Sequence, residues 1–347
     1  MRKEKITDIF SSTAKVLEEA LSSNTHSGAA DKLREAITLA VQKNPWFTVS
    51  SVKQSLQAWA EVLNEEHCMD WLSAYPVNEN RKPKNVSIVM AGNLPLVGFH
   101  DYLCCLAAGH NALIKLSSDD EVLLPVIFDI MCSFAPEMEG RVKFVNTPLK
   151  DFDVVIATGS NNTSRYFLYY FGKYPHIIRR NRNSVAVLTG EESQEELLGV
   201  AHDIFDYFGL GCRSVSKLYV PHNYDFGKLQ AAFDCFDDVA THTRYMNNYD
   251  YQKSILIINA TPFIDHRNIL LREEGSFASP VALLHYSKYH SLDEVNAEIQ
   301  HMKDQIQVVV SISDSINDAI LPGTTQNPGL FDYADGIDTM AFLSKIR

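Results

Sequence analysis

The sequence predicts an α/β protein built on parallel, doubly wound sheets, with a helical layer added at its N-terminal side. Three observations carry this. From residue 86 onward short β-rich runs alternate with helical stretches, the order that parallel sheets require. The runs are apolar almost throughout, as strands covered on both faces are. Glycine and small polar residues follow several of them, in "AGNLP" (91–95), "KLSSDD" (115–120) and "ATGSNN" (157–162), where such sheets bind ligands outside the carboxyl ends of their strands.

Residues 1 to about 75 read as helical. "ITDIFSSTAKVLEEAL" places Ile6, Ile9, Phe10, Val16, Leu17 and Leu21 near helical spacing. "AADKLREAITLAVQKNP" and "SVKQSLQAWAEVLNEEH" follow, the first ended by Asn44-Pro45. Then come "VSIVMAG" (strand), "LPLVGFHDYLCCLAAG" (helix, with Pro95 in its first turn), "NALIKLS" (strand), "DDEVLLPVIFDIM" (helix), "RVKFVNT" and "DVVIATG" (strands), "NTSRYFLYYFG" (helix) and "SVAVLTG" (strand). Ser193 and Glu196 form a capping-box pattern. The apolar positions Leu197, Val200, Ala201, Ile204, Phe205 and Phe208 continue that helix to a stop at Gly209, just before Cys212. Further strands are expected at "SKLYVP", "KSILIINA", "VALLHYS" and "QIQVVVSIS", and the loop-rich end closes in a short strand-like piece. The expected divisions are 1–80 (helical segment), 81–190 (cofactor-binding domain), 191–320 (thiol domain) and 321–347 (a tail for packing or oligomerisation).

Composition narrows the function. The chain has 347 residues, 46% hydrophobic and 21% charged, with a formal net charge of -12. That balance argues against nucleic-acid or anionic-membrane binding. The six cysteines show no CxxC and no metal-ligand spacing with the twelve histidines. Reduced thiols, a cytoplasmic location and no structural metal are expected. The N-terminus has no apolar signal core, and no run reaches the length of a membrane span.

Cys212, in "YFGLGCRSVSKLYVP", sits where a helix has ended and a strand has not begun. A thiol there is either a rigidly held nucleophile facing a cleft or a packed structural cysteine. The segment resembles the nucleophile segment of the aldehyde dehydrogenase superfamily. The resemblance extends in order through "MAGNLPLVGFHDYLCCLAAGHNALIKLSSDD" (90–120), "ATGSNNTSR" (157–165) and "REEGSFASPVALL" (272–284). Within that superfamily the chain is most similar to acyl-CoA reductases of the LuxC type. "RNRNSVAVL", "GCRSVSKLYVP" and "DYADGIDTMAFLSK" carry the narrower likeness. The chain is shorter than typical members, with the difference expected near the N-terminus.

The resemblance implies a site. Cys212 takes the acyl group from a CoA thioester. Asn93 and the backbone N–H of Cys212 donate to the developing oxyanion, each such donor being worth about 3–4 kcal/mol. Lys115 bonds the adenosine ribose of a nicotinamide cofactor. Thr158, Gly159 and Ser160 form the loop near its pyrophosphate, and Glu274 and Phe277 meet the nicotinamide ribose and ring. Each also has a plain reading: Asn93 and the 158–160 loop as turns, Lys115 as a solvated strand end. The glutamate that activates water in aldehyde-oxidising members falls here near Ile178, so reduction of the acyl group is favoured over hydrolysis. Ser118 stands where NAD-preferring members carry a glutamate, which favours NADPH, with NADH the alternative. Asp119 and Asp120 count against that preference if they turn inward. Arg179, Arg180 and Arg182 bind phosphates or form a solvated or interface patch. His176 is a surface residue or a proton donor. Phe167, Tyr169, Tyr170 and Phe171 line an acyl tunnel or are plain core. A homo-oligomer and an acyl-supplying partner enzyme are expected from the resemblance. The competing functions are a cysteine acyltransferase or thioesterase without hydride transfer, and a non-catalytic binding protein of the same fold.

Overall fold

The N-terminal apolar spacing is realised as four helices: α1 Lys3–Leu21, α2 Gly28–Lys43, α3 Val49–Val62 and α4 Glu65–Ser73. The computed structural model describes residues 2–22, 27–76, 82–147 and 149–346. The expected boundary between residues 80 and 81 therefore lies outside the described residues. Ile6, Phe10 and Leu17 of α1, Leu33 of α2 and Leu56 of α3 are buried in one apolar cluster, each such side chain contributing roughly 1.5–3 kcal/mol.

The chain continues through β1 Asn85–Val89, α5 Phe99–Ala107, β2 Asn111–Lys115, α6 Leu123–Phe134, β3 Val142–Phe144, β4 Val154–Thr158, α7 Asn161–Phe171 and β5 His176–Arg179. The strands form a five-stranded sheet in the order β3-β2-β1-β4-β5, all parallel. Strand order reverses at β1 and β4, so the loops after these strands flank a topological switch point. Helices α1 and α2 pack on α6, which joins the N-terminal layer to this sheet.

A second series follows: β6 Asn183–Val187, α8 Gln194–Phe205, β7 Val215–Pro221, α9 Gln230–Asp234, α10 Thr243–Ile258, β8 Ile264–Asp265, β9 Leu270–Glu273, β10 Leu283–Tyr289, α11 Leu292–His301 and β11 Ile306–Val310. These strands form a six-stranded sheet, β11-β6-β7-β10-β9-β8. It is parallel apart from the antiparallel β8–β9 pair. Finally α12, Thr339–Lys345, packs on α5.

The chain divides into two units, residues 1–180 with 329–347, and residues 181–328. The division falls at 180/181 because β6 pairs with β7 and β11, in the second sheet. The run "SVAVLTG", expected in the cofactor domain, thus belongs to the second unit. Residues 329–346 return to the first unit. There Tyr333 accepts from Trp71 Nε1 at 2.7 Å and lies 2.8 Å from the Tyr75 hydroxyl, which donates to Asp338 at 2.9 Å.

Four of the expected elements differ in type or extent from the sequence reading. "KSILIINA" is not a strand but the end of α10, where Ile257 and Ile258 are 60% and 81% exposed. A short β-branched run cannot be told from a helix by periodicity, and here it continues a helix capped by His242. The terminal strand-like piece is α12, its start capped by Asp338 accepting from Ala341 N–H at 2.7 Å. Helix α5 begins at Phe99 instead of near Pro95, because Leu96 takes a left-handed φ of 60°. Helix α8 has the expected capping box but ends at Phe205. Tyr207, Phe208 and Gly209 follow with φ of 55°, 58° and 72°, a left-handed turn that reverses the chain ahead of Cys212.

Candidate active site

Cys212 lies at the amino edge of the second sheet, in the turn before β7, and is exposed. The turn is held from several sides. Ser214 N–H donates to the Gly211 carbonyl at 3.1 Å, and the Ser184 hydroxyl at the start of β6 donates to the Cys212 carbonyl at 2.9 Å. Arg213, the adjacent cation, reaches the Thr325 carbonyl at 3.5 Å. The buried Asp203 of α8 anchors that segment, accepting from Gly323 N–H, Thr325 N–H and the Thr325 hydroxyl at 2.8, 3.1 and 2.7 Å. Cys68, Cys104, Cys105 and Cys132 are buried. Burial pushes the Cys68 and Cys132 thiols up to about 12 and about 11, so they are poor nucleophiles at neutral pH. Cys235 is also exposed, at the C-terminal end of the short α9.

Glu274, half-buried after β9, pairs with Arg272 at 2.9 Å, which holds its carboxyl below the usual range. The carbonyls of its loop each receive a side-chain donor. Ser287 donates to Glu274 O at 3.4 Å, Lys217 to Gly275 O at 2.6 Å, His285 Nδ1 to Ser276 O at 2.9 Å and Ser216 to Phe277 O at 2.7 Å. Lys217 is fully buried, with Nζ 4.8 Å from the ring centroids of both Tyr219 and Phe277. Burial lowers its pKa. Phe277 is 5% exposed and belongs to an apolar cluster with Val185 and Tyr219. Its ring packs in that cluster, beside the Nζ of Lys217.

In the first unit, the parallel register brings three expected segments to the same edge of the sheet. Lys115 ends β2 and is half-buried, and its carbonyl accepts from Met90 N–H after β1 at 3.0 Å. Asn93 follows β1 and is exposed. Thr158 ends β4; Gly159 and Ser160 lead into α7. A Cβ on Gly159 would stand 3.0 Å from the Phe167 ring and 3.1 Å from Thr163, so the backbone approaches its own helix closely there. The Ser160 hydroxyl caps α7, accepting from Thr163 N–H at 3.1 Å. Ser118 and Asp119 are exposed, whereas Asp120 turns inward and is 9% exposed. Its Oδ2 accepts from Leu96 N–H at 2.7 Å, and burial pushes its pKa up to about 7. The left-handed Leu96 itself costs roughly 1–2 kcal/mol.

The arginine cluster does not form one patch. Arg179 is 4% exposed and makes a bidentate pair with Asp101, at 2.5 and 2.9 Å, with a further bond to Thr339 at 2.9 Å. Arg182 caps the carbonyls of Lys303 and Ile306 at 3.4 and 3.2 Å. Arg180 is exposed. His176 is half-buried beside the Tyr174 carbonyl at 2.8 Å. Tyr169 and Tyr170 are 82% and 62% exposed, so they are not core. Sequence reasoning missed Ser184 and Asp203, and the bracing contacts of Lys217 and Asp120, because these act across long chain separations and leave no local pattern.

The fold is that of the aldehyde dehydrogenases. It superposes with a TM-score of 0.67 on an indole-3-acetaldehyde dehydrogenase in complex with NAD+, at 12% identity, covering 92% of this chain and 74% of that one. Aldehyde dehydrogenase 21 from Physcomitrella patens, in complex with succinate, gives 0.66 at 11% identity, covering 92% and 75%. Residues 4–229 match the profile of the acyl-CoA reductase (LuxC) family, and the chain belongs to that family. A long-chain acyl-protein thioester reductase from Aliivibrio fischeri is 25% identical over 175 residues, covering 45% of this chain and 36% of that protein. The match thus spans little more than a third of that relative.

Proposed function

We propose that the protein reduces an acyl thioester to the aldehyde through an acyl-enzyme on Cys212. The observation that carries this reading is an exposed thiol in a braced turn of the second unit, in a chain of the acyl-CoA reductase family. The Cys212 thiolate attacks the thioester carbonyl; a new C–S bond forms, and the bond to the leaving thiolate breaks. The Cys212 N–H is assigned to the oxyanion of that step, and Asn93 keeps the oxyanion-donor role that the resemblance implies. A nicotinamide cofactor, when bound, supplies the hydride that converts the enzyme thioester to aldehyde and frees the thiolate. The residues of the first unit fit such a group. The close-packed Gly159 cradle and the amino end of α7 suit a pyrophosphate, and Lys115, which ends β2 at the same edge of the sheet, is assigned to the ribose. Ser118, exposed and neutral, leaves room for a 2′-phosphate, while the inward-turned Asp120 counts against one although its Oδ2 is engaged by Leu96 N–H; NADPH is proposed, with NADH the alternative. Glu274, fixed by its capped loop, is assigned to the nicotinamide ribose. We assign cofactor binding to the first unit and the thiol to the second.

Acyl-CoA is the proposed donor. The Aliivibrio fischeri relative favours a second donor with the same reacting bond, an acyl thioester carried on a partner protein. A homo-oligomer is part of this reading. The test is intact mass after incubation with a long-chain acyl-CoA, on wild type and on Cys212→Ala. The expected result is an adduct on wild type alone, discharged by NADPH with release of aldehyde. No adduct on either protein overturns the acyl-enzyme; an adduct discharged by water alone makes the protein a thioesterase.

A further inference from the structure

The loop that carries Asn93 is braced by groups that have no part in the chemistry itself. Asn44, just past the end of α2, donates Nδ2 to the Asp119 carbonyl at 3.1 Å and to the Gly92 carbonyl at 3.4 Å. The Ser55 hydroxyl of α3 donates to the Pro95 carbonyl at 2.9 Å. Asp120 Oδ2 accepts from Leu96 N–H at 2.7 Å, holding a residue with φ of 60°. The backbone is therefore pinned immediately before Asn93 and two and three residues after it, while Asn93 itself is exposed. Two features show that these contacts do more than fill space. Asp120 Oδ1 is buried and makes no hydrogen bond, an arrangement that a neutral or apolar residue would avoid. Leu96 is kept in a conformation that side chains other than glycine rarely adopt. The left-handed Leu96 on the Asn93 loop is thus held from the loop after β2 by a buried carboxylate whose second oxygen has no partner.

We propose that Asp120 is a positioning residue for Asn93, assisted by Asn44 and Ser55, so that the N-terminal helical layer sets the conformation of the Asn93 loop. This rests on the role assigned to Asn93 above. A side-chain donor acts only if its loop holds it in place, and Asp120 fixes the turn that carries Asn93. Asparagine at position 120 keeps an oxygen that accepts from Leu96 N–H; alanine does not.

The test is the rate of Cys212 acylation by acyl-CoA, followed by rapid quench and intact mass. Asp120→Ala is expected to slow acylation by up to about 100-fold, the cost of a displacement on the order of an ångström. Asp120→Asn is expected to restore most of the rate, and NADPH affinity by fluorescence titration stays unchanged in both. In an Asn93→Ala background, Asp120→Ala is expected to slow acylation no further, because it acts only through Asn93. Wild-type acylation by Asp120→Ala overturns the proposal. So does the same fold-loss in both backgrounds, which marks a general loosening. If Asn93→Ala alone acylates at the wild-type rate, the role assigned to Asn93 fails and the proposal fails with it. Should Asp120→Ala not fold, Ser55→Ala, which removes a single hydroxyl, enters the same cycle. A smaller loss that vanishes beside Asn93→Ala supports the brace; no loss, or an unchanged loss, refutes it.

Discussion

Replacing Asp101 by alanine tests whether Arg179 is a structural or a ligand-binding group. The pair joins the end of β5 to α5 and, through Thr339, to α12. Arg179 is 4% and Asp101 7% exposed, so neither charge is compensated by water. Removing the carboxylate leaves a buried guanidinium with a hydroxyl for a partner. Breaking a buried pair in this way costs about 3–5 kcal/mol. For a unit of this size each kcal/mol lowers Tm by about 2–4 °C, which gives a fall of roughly 6–20 °C. Differential scanning calorimetry reads the shift directly. Arg180→Ala is the control: that side chain is exposed, and a change within about 0.5 kcal/mol is expected. A fall in Tm of less than about 3 °C for Asp101→Ala, on the same scale, would refute the reasoning. Intact stability with weakened NADPH binding would return Arg179 to the phosphate-binding role that its sequence context suggests.

Three further outcomes follow from the geometry. Asp120 has a pKa raised from 3.8 to about 7, so between those values the native state holds a proton that the unfolded state has lost. Stability therefore falls as pH rises through that window, by roughly 4 kcal/mol at most; in urea titrations Asp120→Asn should gain on wild type from pH 4 to 7 and hold that gain above. Lys217→Met removes the donor to Gly275 O and is expected to raise the KM for NADPH while leaving the single-turnover acylation of Cys212 unchanged; slowed acylation with normal NADPH binding would contradict this. Gly92→Ala would put a Cβ 2.6 Å from the Ser117 side chain; overpacking of this kind costs about 1–3 kcal/mol, and acylation should fall more than the melting temperature suggests.

Much of this fold was legible where local chemistry and tertiary demand agree. The apolar runs at 85–89, 111–115, 154–158 and 215–221 are strands because a strand covered on both faces has no reason to alternate. The Ser193–Glu196 box marks the start of α8 because both bonds are local. The failures lie where tertiary context decides. Ile255 to Ile258 look like a strand, yet they extend α10, with Leu256 buried and Ile257 and Ile258 exposed. The strand β5 was hidden in "HIIRRNRNS", since Arg179 is buried only because Asp101 meets it from α5. The site divides the same way. Cys212, Gly159 and Ser160 occupy the turn positions their spacing suggests, but the residues that hold them, Ser184 and Asp203 among them, come from distant parts of the chain. Phe277 shows the reverse case, an aromatic whose motif position was legible but whose packing against Lys217 and Tyr219 was not.

The return of residues 329–346 to the first unit also sets the order in which the protein can be completed. Residues 181–328 are continuous and hold everything their sheet needs as soon as they are made. The first unit begins earlier and finishes later. Trp71 Nε1, the Tyr75 hydroxyl and His100 Nε2 bond to Tyr333, Asp338 and Leu330, and the His100 ring stacks on Tyr333. At about 5–20 residues per second, synthesis of the intervening stretch takes roughly ten to thirty seconds. Throughout that interval the nascent chain presents an open aromatic seam to the ribosome exit and to chaperones. The segment synthesised first is thus the one that closes last.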